Sequence, residues 1–324
     1  MHNLLDPAIL FFVFGVVAGL LRSNLEIPPQ VSRFLSLYLL MALGLKGGFA
    51  LHHSGLNGEV ALTLGLAVLL AILIPLLGYP LLKRCLNPFD AVAVAATYGS
   101  VSAVTFITCI QYLENQGLAY GGHMAAAMAL MESPAIILAV LLANRLRQQL
   151  ATTASAAAPS ASLGKVLHES FTDGAQLLLL GAMLIGLLTG DAGKAVMAPF
   201  SVDLFKGMLA FFLLDMGLLT ARNLGHLRRQ SLWLPAYALS APLLHAGLAL
   251  LLASLLGISA GNTALLMTLA ASASYIAVPA VLKEAIPEAQ ASLYFGLSLG
   301  LTFPFNILVG IPLYVGLARQ FAGG

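Results

Sequence analysis

Apolar stretches of about 20 residues recur along the whole chain, each long enough to cross a hydrocarbon core of roughly 30 Å. In that solvent only α-helices and closed β-barrels satisfy every backbone N–H and C=O. A barrel would alternate apolar and polar residues. These stretches are instead continuously apolar, with Gly and Ala scattered through them as close helix contacts in lipid allow. Composition agrees, since 60% of the 324 residues are apolar and only 9% are charged, against about 25% charged in a soluble domain. The sequence therefore predicts an all-α membrane protein.

Ten transmembrane helices are expected, over residues 8–22, 34–52, 59–82, 90–112, 122–144, 174–190, 204–221, 232–256, 262–283 and 291–318. The one long connection contains the low-complexity run Ala151–Ser162 (ATTASAAAPSAS), whose composition reads as a flexible linker. It divides the chain into a first five-helix repeat over 1–147, a cytoplasmic linker over 148–173 and a second, inverted five-helix repeat over 174–324. With the linker in the cytoplasm, Arg22, Arg33, Lys83, Arg84, Arg145, Arg147, Lys165, Arg222, Arg228, Arg229 and Lys283 lie inside. Lys46, Lys194, Lys206 and Arg319 remain outside or within spans. Eleven of the 15 basic residues thus obey the positive-inside rule, which makes this a multi-pass inner-membrane protein with both termini outside.

Met1–Pro7 lacks the basic region and cleavage site of a secretory signal, so the first apolar run is expected to stay as a helix. Cys85 and Cys109 have no metal-ligand spacing and read as free thiols. A net charge of +2, with basic residues not interleaved with aromatics, argues against a nucleic-acid partner. There is no GxxxxGK[ST] loop, HExxH or GxSxG motif, so neither ATP-driven transport nor an enzyme is expected.

The repeat rests on three ordered matches. Leu43–Leu45 (LGL) corresponds to Met216–Leu218 (MGL), 173 residues on. Ser100–Thr105 (SVSAVT) corresponds to Ser274–Pro279 (SYIAVP), and Pro134–Leu138 (PAIIL) to Pro304–Leu308 (PFNIL). Five spans per half reverse the direction of equivalent helices, the inverted-repeat plan of many secondary transporters.

Spans four and nine carry small polar residues at mid-membrane and read as broken helices. The second half of a broken helix presents unpaired N–H groups carrying partial positive charge, where a small anion can sit without a formal countercharge. Backbone at Val101, Ala103, Ile276 and Ala277 and the side chains of Ser100, Ser102, Thr105, Ser272, Ser274 and Tyr275 are the candidate substrate-binding groups. The competing reading is that small residues only allow close packing, with hydroxyls bonded to the preceding turn.

Ionisable residues inside apolar runs are costly and need partners. Glu132 precedes Pro134, which frees carbonyls nearby; with the counterparts Thr302 and Asn306 it makes a candidate sodium site. Its alternative role is a carboxylate at a span end, met by solvent or a basic neighbour. Lys46 and Asp215 lie near repeat-equivalent points and are expected to form an ion pair. His245, beside Pro242, reads as a helix contact rather than a proton relay.

Taken together, Gly44–Leu45 followed by Gly47–Gly48, Gly99–Ser102 (GSVS), Glu132–Ala135 (ESPA), Ala143–Asn144, Ala270–Ser272 (AAS), Ala285–Pro287 (AIP) and Ile311–Ala318 (IPLYVGLA) carry a resemblance over nearly the whole chain. The sequence resembles the sodium-dependent bicarbonate transporters of the SbtA type. That resemblance implies a homotrimer in which a core moves against a more static body, anion binding between broken helices four and nine, and sodium coupling. It also implies control by a PII-like regulatory protein at the cytoplasmic face.

The chain departs from the family pattern at both breaks: Ser102–Val104 (SAV) replaces Ser-Gly-Ser, and Tyr275–Pro279 (YIAVP) replaces Asp-Ile-Ser-Gly-Pro. Losing the Asp removes a negative charge that sodium would favour. Lys46 stands where the family has an uncharged polar residue, so its ammonium is a candidate substitute for the cation.

The expected function is secondary active transport of a small anion, bicarbonate before others, by alternating access. Two alternatives are a proton- or sodium-coupled organic-anion carrier, with Tyr275 and the added apolar residues accepting a larger substrate, and a non-transporting membrane receptor with the linker and Arg228–Arg229 as a docking surface.

Overall fold

A computed structural model describes residues 6–55, 57–151, 164, 174–227 and 233–322. From Thr152 onward the expected linker lies outside the described residues except for Gly164, and so do Lys165, Arg228 and Arg229.

Among the described residues every regular element is helical. The first half holds α1 (Pro7–Leu20), α2 (Pro29–Ser54), α3 (Gly58–Leu82), α4 (Pro88–Gly99), α5 (Ala103–Asn115) and α6 (Met124–Ala151). The second holds α7 (Gly174–Ala198), α8 (Phe205–Leu227), α9 (Trp233–Leu255), α10 (Ala260–Ala271), α11 (Ala277–Ala285) and α12 (Ala291–Phe321). α1, α3, α4 and α5 begin where the sequence supplies a side-chain acceptor. Asp6 Oδ1 takes the Ala8 N–H at 2.8 Å ahead of α1, and Asn87 Oδ1 takes the Asp90 N–H at 2.9 Å ahead of α4. Both caps are followed by proline at the first helical position, where no donor is needed.

Among the described residues, seven helical runs are long and apolar enough to cross a membrane. One of them, Gly174–Asn223, extends over 50 residues and bends at Gly190, whose φ of 54° suits only glycine in practice, and at a π turn over Pro199–Asp203. Pro7–Leu20 and Ala260–Ala271 are apolar but shorter. The helix continues through Pro134 in α6. Pro304, by contrast, lies between two π turns of α12, Ser298–Thr302 and Asn306–Gly310, as expected where a missing N–H disturbs the ladder.

The helices pack in two groups. In the first, here the frame, α1 lies against α8 and α2 against α7. The approach is close enough to require glycine: a Cβ on Gly217 would sit 2.2 Å from the Phe12 carbonyl oxygen, and one on Gly48 2.1 Å from that of Met183. In the second group, the core, α3 packs on α4 and α6 while α9 packs on α10 and α12. The run Pro88–Asn115 (α4 and α5) is 94% buried over its most apolar window, against 44% for α3, so this chain segment lies at the centre.

One end of the core is fastened by Arg147, which donates to both carboxylate oxygens of Glu288 at 2.8 Å and to the Ala285 carbonyl at 2.9 Å, tying α6 to the loop before α12. That hydrogen-bonded guanidinium holds the Glu288 carboxyl below its usual range.

Gly48→Ala should lower the unfolding free energy by about 1–3 kcal/mol through overpacking, read as a lower Tm in detergent. Gly65→Ala, with nothing within 4 Å of the new methyl, should leave Tm nearly unchanged.

Candidate functional site

The two helix breaks face each other at the centre of the core. At the first, α4 ends at Gly99, Ser100 is extended (φ −95°, ψ −175°) and Ser102 caps α5. At the second, α10 ends at Ala271 and α11 begins at Ala277. Breaking a helix in an apolar interior strands backbone groups, and each stranded group costs free energy unless it finds a partner. Here the breaks supply one another. Ser102 N–H donates to Ser272 Oγ at 2.9 Å, and Ser274 N–H donates at 2.8 Å to the Thr97 carbonyl, whose helical partner the first break removed. The Ser272 hydroxyl in turn donates to the Leu269 carbonyl at 2.8 Å. Ser102 Oγ accepts from Thr105 N–H and Thr105 Oγ1 at 3.2 and 3.0 Å, and Ser274 Oγ from Val278 N–H at 3.3 Å.

A cavity of about 190 Å³ lies between these breaks and the frame. At ~30 Å³ per water it holds about six waters, below the roughly 300 Å³ at which drug-sized sites begin. Val101–Val104, Ser274–Ala277, Met128, Glu132, Ile136 and Val281 form the core wall; Ser36 and Leu40 of α2 with Ala175, Gln176 and Leu179 of α7 form the frame wall. Ala103 and Val104 occupy the first two positions of α5, where N–H groups have no intrahelical acceptor. The buried Tyr275 hydroxyl makes no hydrogen bond, although Ser102 is near enough to interact with it, and Ser100 Oγ is also buried without a partner.

Among the predicted binding residues, Val101, Ser102, Ala103, Ser274, Tyr275, Ile276 and Ala277 line the cavity. Ser100, Thr105 and Ser272 do not; the last two brace the lining residues. Gln176 was missed, although a buried amide in the first turn of an apolar span was a visible signal. Its Nε2 donates at 2.6 Å to Glu132 Oε2, joining frame to core across the cavity. Ser36, Leu40 and Leu179 carried no signal, because only the tertiary fold brings them here.

The three candidate cation ligands are not gathered. Glu132 lines the cavity, whereas Thr302 and Asn306 do not. Thr302 Oγ1 donates to the Ala238 carbonyl at 2.8 Å, leaving the Tyr98 hydroxyl to donate to it at 2.6 Å. Asn306 Nδ2 donates to the Ala271 carbonyl stranded by the second break, and Asn306 Oδ1 accepts from Tyr314, both at 2.8 Å. Among the described residues no three His, Cys, Asp or Glu side chains form a metal-binding group.

The expected pairing of Lys46 with Asp215 does not form. Lys46 Nζ is 3.0 Å from Glu114 and 4.2 Å from the Phe205 ring centroid. Asp215 lies ten residues beyond Phe205 on α8, about 15 Å along the axis, and accepts from Ser32 near the start of α2. Repeat equivalence relates positions in two copies of a motif; it does not make them neighbours. His245 lies near the backbone of Ala270 on α10, and its Nδ1 is buried without a hydrogen-bond partner. Both cysteines are free.

The family model described as the Na+-dependent bicarbonate transporter superfamily matches residues 7–319. A search of curated proteins finds no match.

Removing the two kinds of hydroxyl should have opposite consequences. Ser272→Ala strands the Ser102 N–H and should cost about 1–3 kcal/mol of stability. Tyr275→Phe removes a hydroxyl that makes no hydrogen bond, so thermal unfolding should show an unchanged or higher Tm.

Proposed function

The chain belongs to the Na+-dependent bicarbonate transporter superfamily, and we propose that it carries bicarbonate across the membrane by alternating access, with sodium as co-transported cargo. The observation that carries this reading is the cavity with one wall made of two facing helix breaks and the other made of frame helices. The first-turn N–H groups of Ala103 and Val104, with the hydroxyls of Ser102, Ser274 and Tyr275, suit a small anion without a fixed cation beside it. The half-buried Glu132 carboxylate is the acidic group of the cavity wall, and sodium with its preference for oxygen ligands belongs there.

Ten crossings in two inverted repeats form part of the same reading. Counting Gly174–Asn223 as two crossings and adding the two shorter apolar helices brings the seven long runs to ten. Packing supports the symmetry, since α1 on α8 pairs spans one and seven, and α2 on α7 pairs their respective repeat mates, spans six and two. So do two hydrogen bonds that fasten the loop before the next span. Asp90 accepts from Gln290 N–H and Asn262 from Gly121 N–H, each at 2.7 Å, and the partners correspond 172 residues on (90 to 262) and 169 residues on (121 to 290). With the linker cytoplasmic, Ser36 and Gln176 lie in turns that follow cytoplasmic connections, so the cavity belongs to the cytoplasmic half. The core then carries the anion and sodium past the frame.

A second reading, an organic-anion carrier, is favoured by the apolar wall of Leu40, Val104, Met128, Ile136, Leu179 and Ile276. One experiment separates the two. Labelled bicarbonate uptake into proteoliposomes is measured at constant ionic strength, with sodium or potassium outside and with or without larger carboxylates. Sodium-dependent uptake insensitive to the carboxylates is expected. Uptake equal in potassium would contradict the coupling, strong competition would favour the second reading, and no uptake in either salt would overturn bicarbonate as cargo.

A further inference from the structure

Three cations converge on three consecutive residues at the C-terminal end of α5. Lys46 Nζ lies 3.0 and 3.4 Å from the two carboxylate oxygens of Glu114. Lys206 Nζ lies 3.3 Å from Asn115 Oδ1, and Arg319 donates to the Gln116 carbonyl at 3.2 Å. Tyr120 donates its hydroxyl to Glu114 Oε1 at 3.0 Å, and Asp6 accepts from Asn115 Nδ2 at 2.8 Å. Among these contacts the carboxylate–cation pair is Glu114 with Lys46; Lys206 and Arg319 meet neutral oxygens beside it.

The ownership of these groups matters more than their number. Lys46 is on α2, and Phe205 and Lys206 open α8; all three belong to the frame. Glu114 and Asn115 close α5 in the core. The contacts are thus made across the boundary along which the core would move. On α2, Lys46 is six residues beyond the cavity residue Leu40, about 9 Å at 1.5 Å per residue. It stands between the breaks and the outer surface, and the Glu114 side chain that meets it is 32% exposed.

Resting on the transport reading, we infer that Lys46 and Lys206 form an outer binding site for a small carboxylate-like anion, and that the Glu114 carboxylate occupies this site as a tethered ligand in the described state. Glu114 presents the same planar pair of oxygens that bicarbonate presents, and it meets the Lys46 ammonium with both. Movement of the core withdraws Glu114 and Asn115 together and leaves both lysines to an anion arriving from outside. Neighbouring positive charge raises the local concentration of that anion. When the core returns, Glu114 competes the anion off the lysines.

The test compares initial uptake at varied external bicarbonate for the unaltered protein, Glu114→Gln, Lys46→Met and Lys46→Arg in proteoliposomes. Glu114→Gln should lower the external KM by about threefold or more, because it removes the competitor; Lys46→Met should raise it by about as much, the scale of one partly exposed ion pair. Lys46→Arg should stay close to the unaltered protein. A mere latch between frame and core would respond to loss of either partner in the same direction, so KM shifts of one sign, or none, would overturn the inference. The near-isosteric Glu114→Gln decides the matter alone if Lys46→Met does not fold. Absence of uptake by the unaltered protein would remove the transport reading and this inference together.

Discussion

A hydrogen-bond donor or acceptor of the backbone left bare in an apolar interior costs free energy that no amount of helix propensity recovers. Two helices in this protein are interrupted where that cost is highest, and the fold around them is organised to meet it. Ser102 N–H finds Ser272 Oγ, Ser274 N–H finds the Thr97 carbonyl, and the Ala271 carbonyl finds Asn306. Each break is therefore stable only in the presence of the other, together with α12. Among the groups left over, the first-turn N–H groups of α5 and the Tyr275 hydroxyl belong to residues that line the cavity, whereas Ser100 Oγ, also without a partner, lies outside its lining.

Charge is distributed in keeping with this arrangement. At the helix breaks the cavity wall offers dipoles rather than ammonium groups, which under the proposed function suits a cargo that must be released as well as bound. Formal charges sit where frame meets core: Glu132, held by the Gln176 amide, in the cavity wall, and Lys46 paired with Glu114 at the C-terminal end of α5. In the proposed alternating-access cycle, contacts of this kind would form and break as the two groups of helices shift. The glycine-mediated contacts inside the frame, such as Gly48 against Met183, leave no room for movement.

The membrane class, the apolar spans and both breaks were legible in the sequence because each depends on local chemistry: long apolar runs, or Ser and Gly where lipid-facing helices seldom carry them. The breaks came out at Ser100–Ser102 and Ser272–Ile276, where the small polar residues had pointed. Partners across the fold were not legible. Repeat spacing relates Lys46 to Asp215, yet the antiparallel lie of α2 and α8 puts them at opposite ends of the interface. Asn306 drew notice as a polar residue beside Pro304, but no sequence pattern showed that its amide would close a carbonyl 35 positions earlier. Gln176 shows the same limit, since its partner Glu132 lies 44 positions away.

Relative movement of frame and core can be read directly by pulsed electron paramagnetic resonance on reconstituted protein with Cys85 replaced. Spin labels are placed on Leu188 of the frame and Leu255 of the core, both about three-quarters exposed, with Leu188 and Leu21 as the pair within or beside the frame. Sodium with bicarbonate should shift the Leu188–Leu255 distance distribution and leave that of Leu188–Leu21 in place. Two distributions that stay fixed with and without both ions would contradict transport by movement of the core.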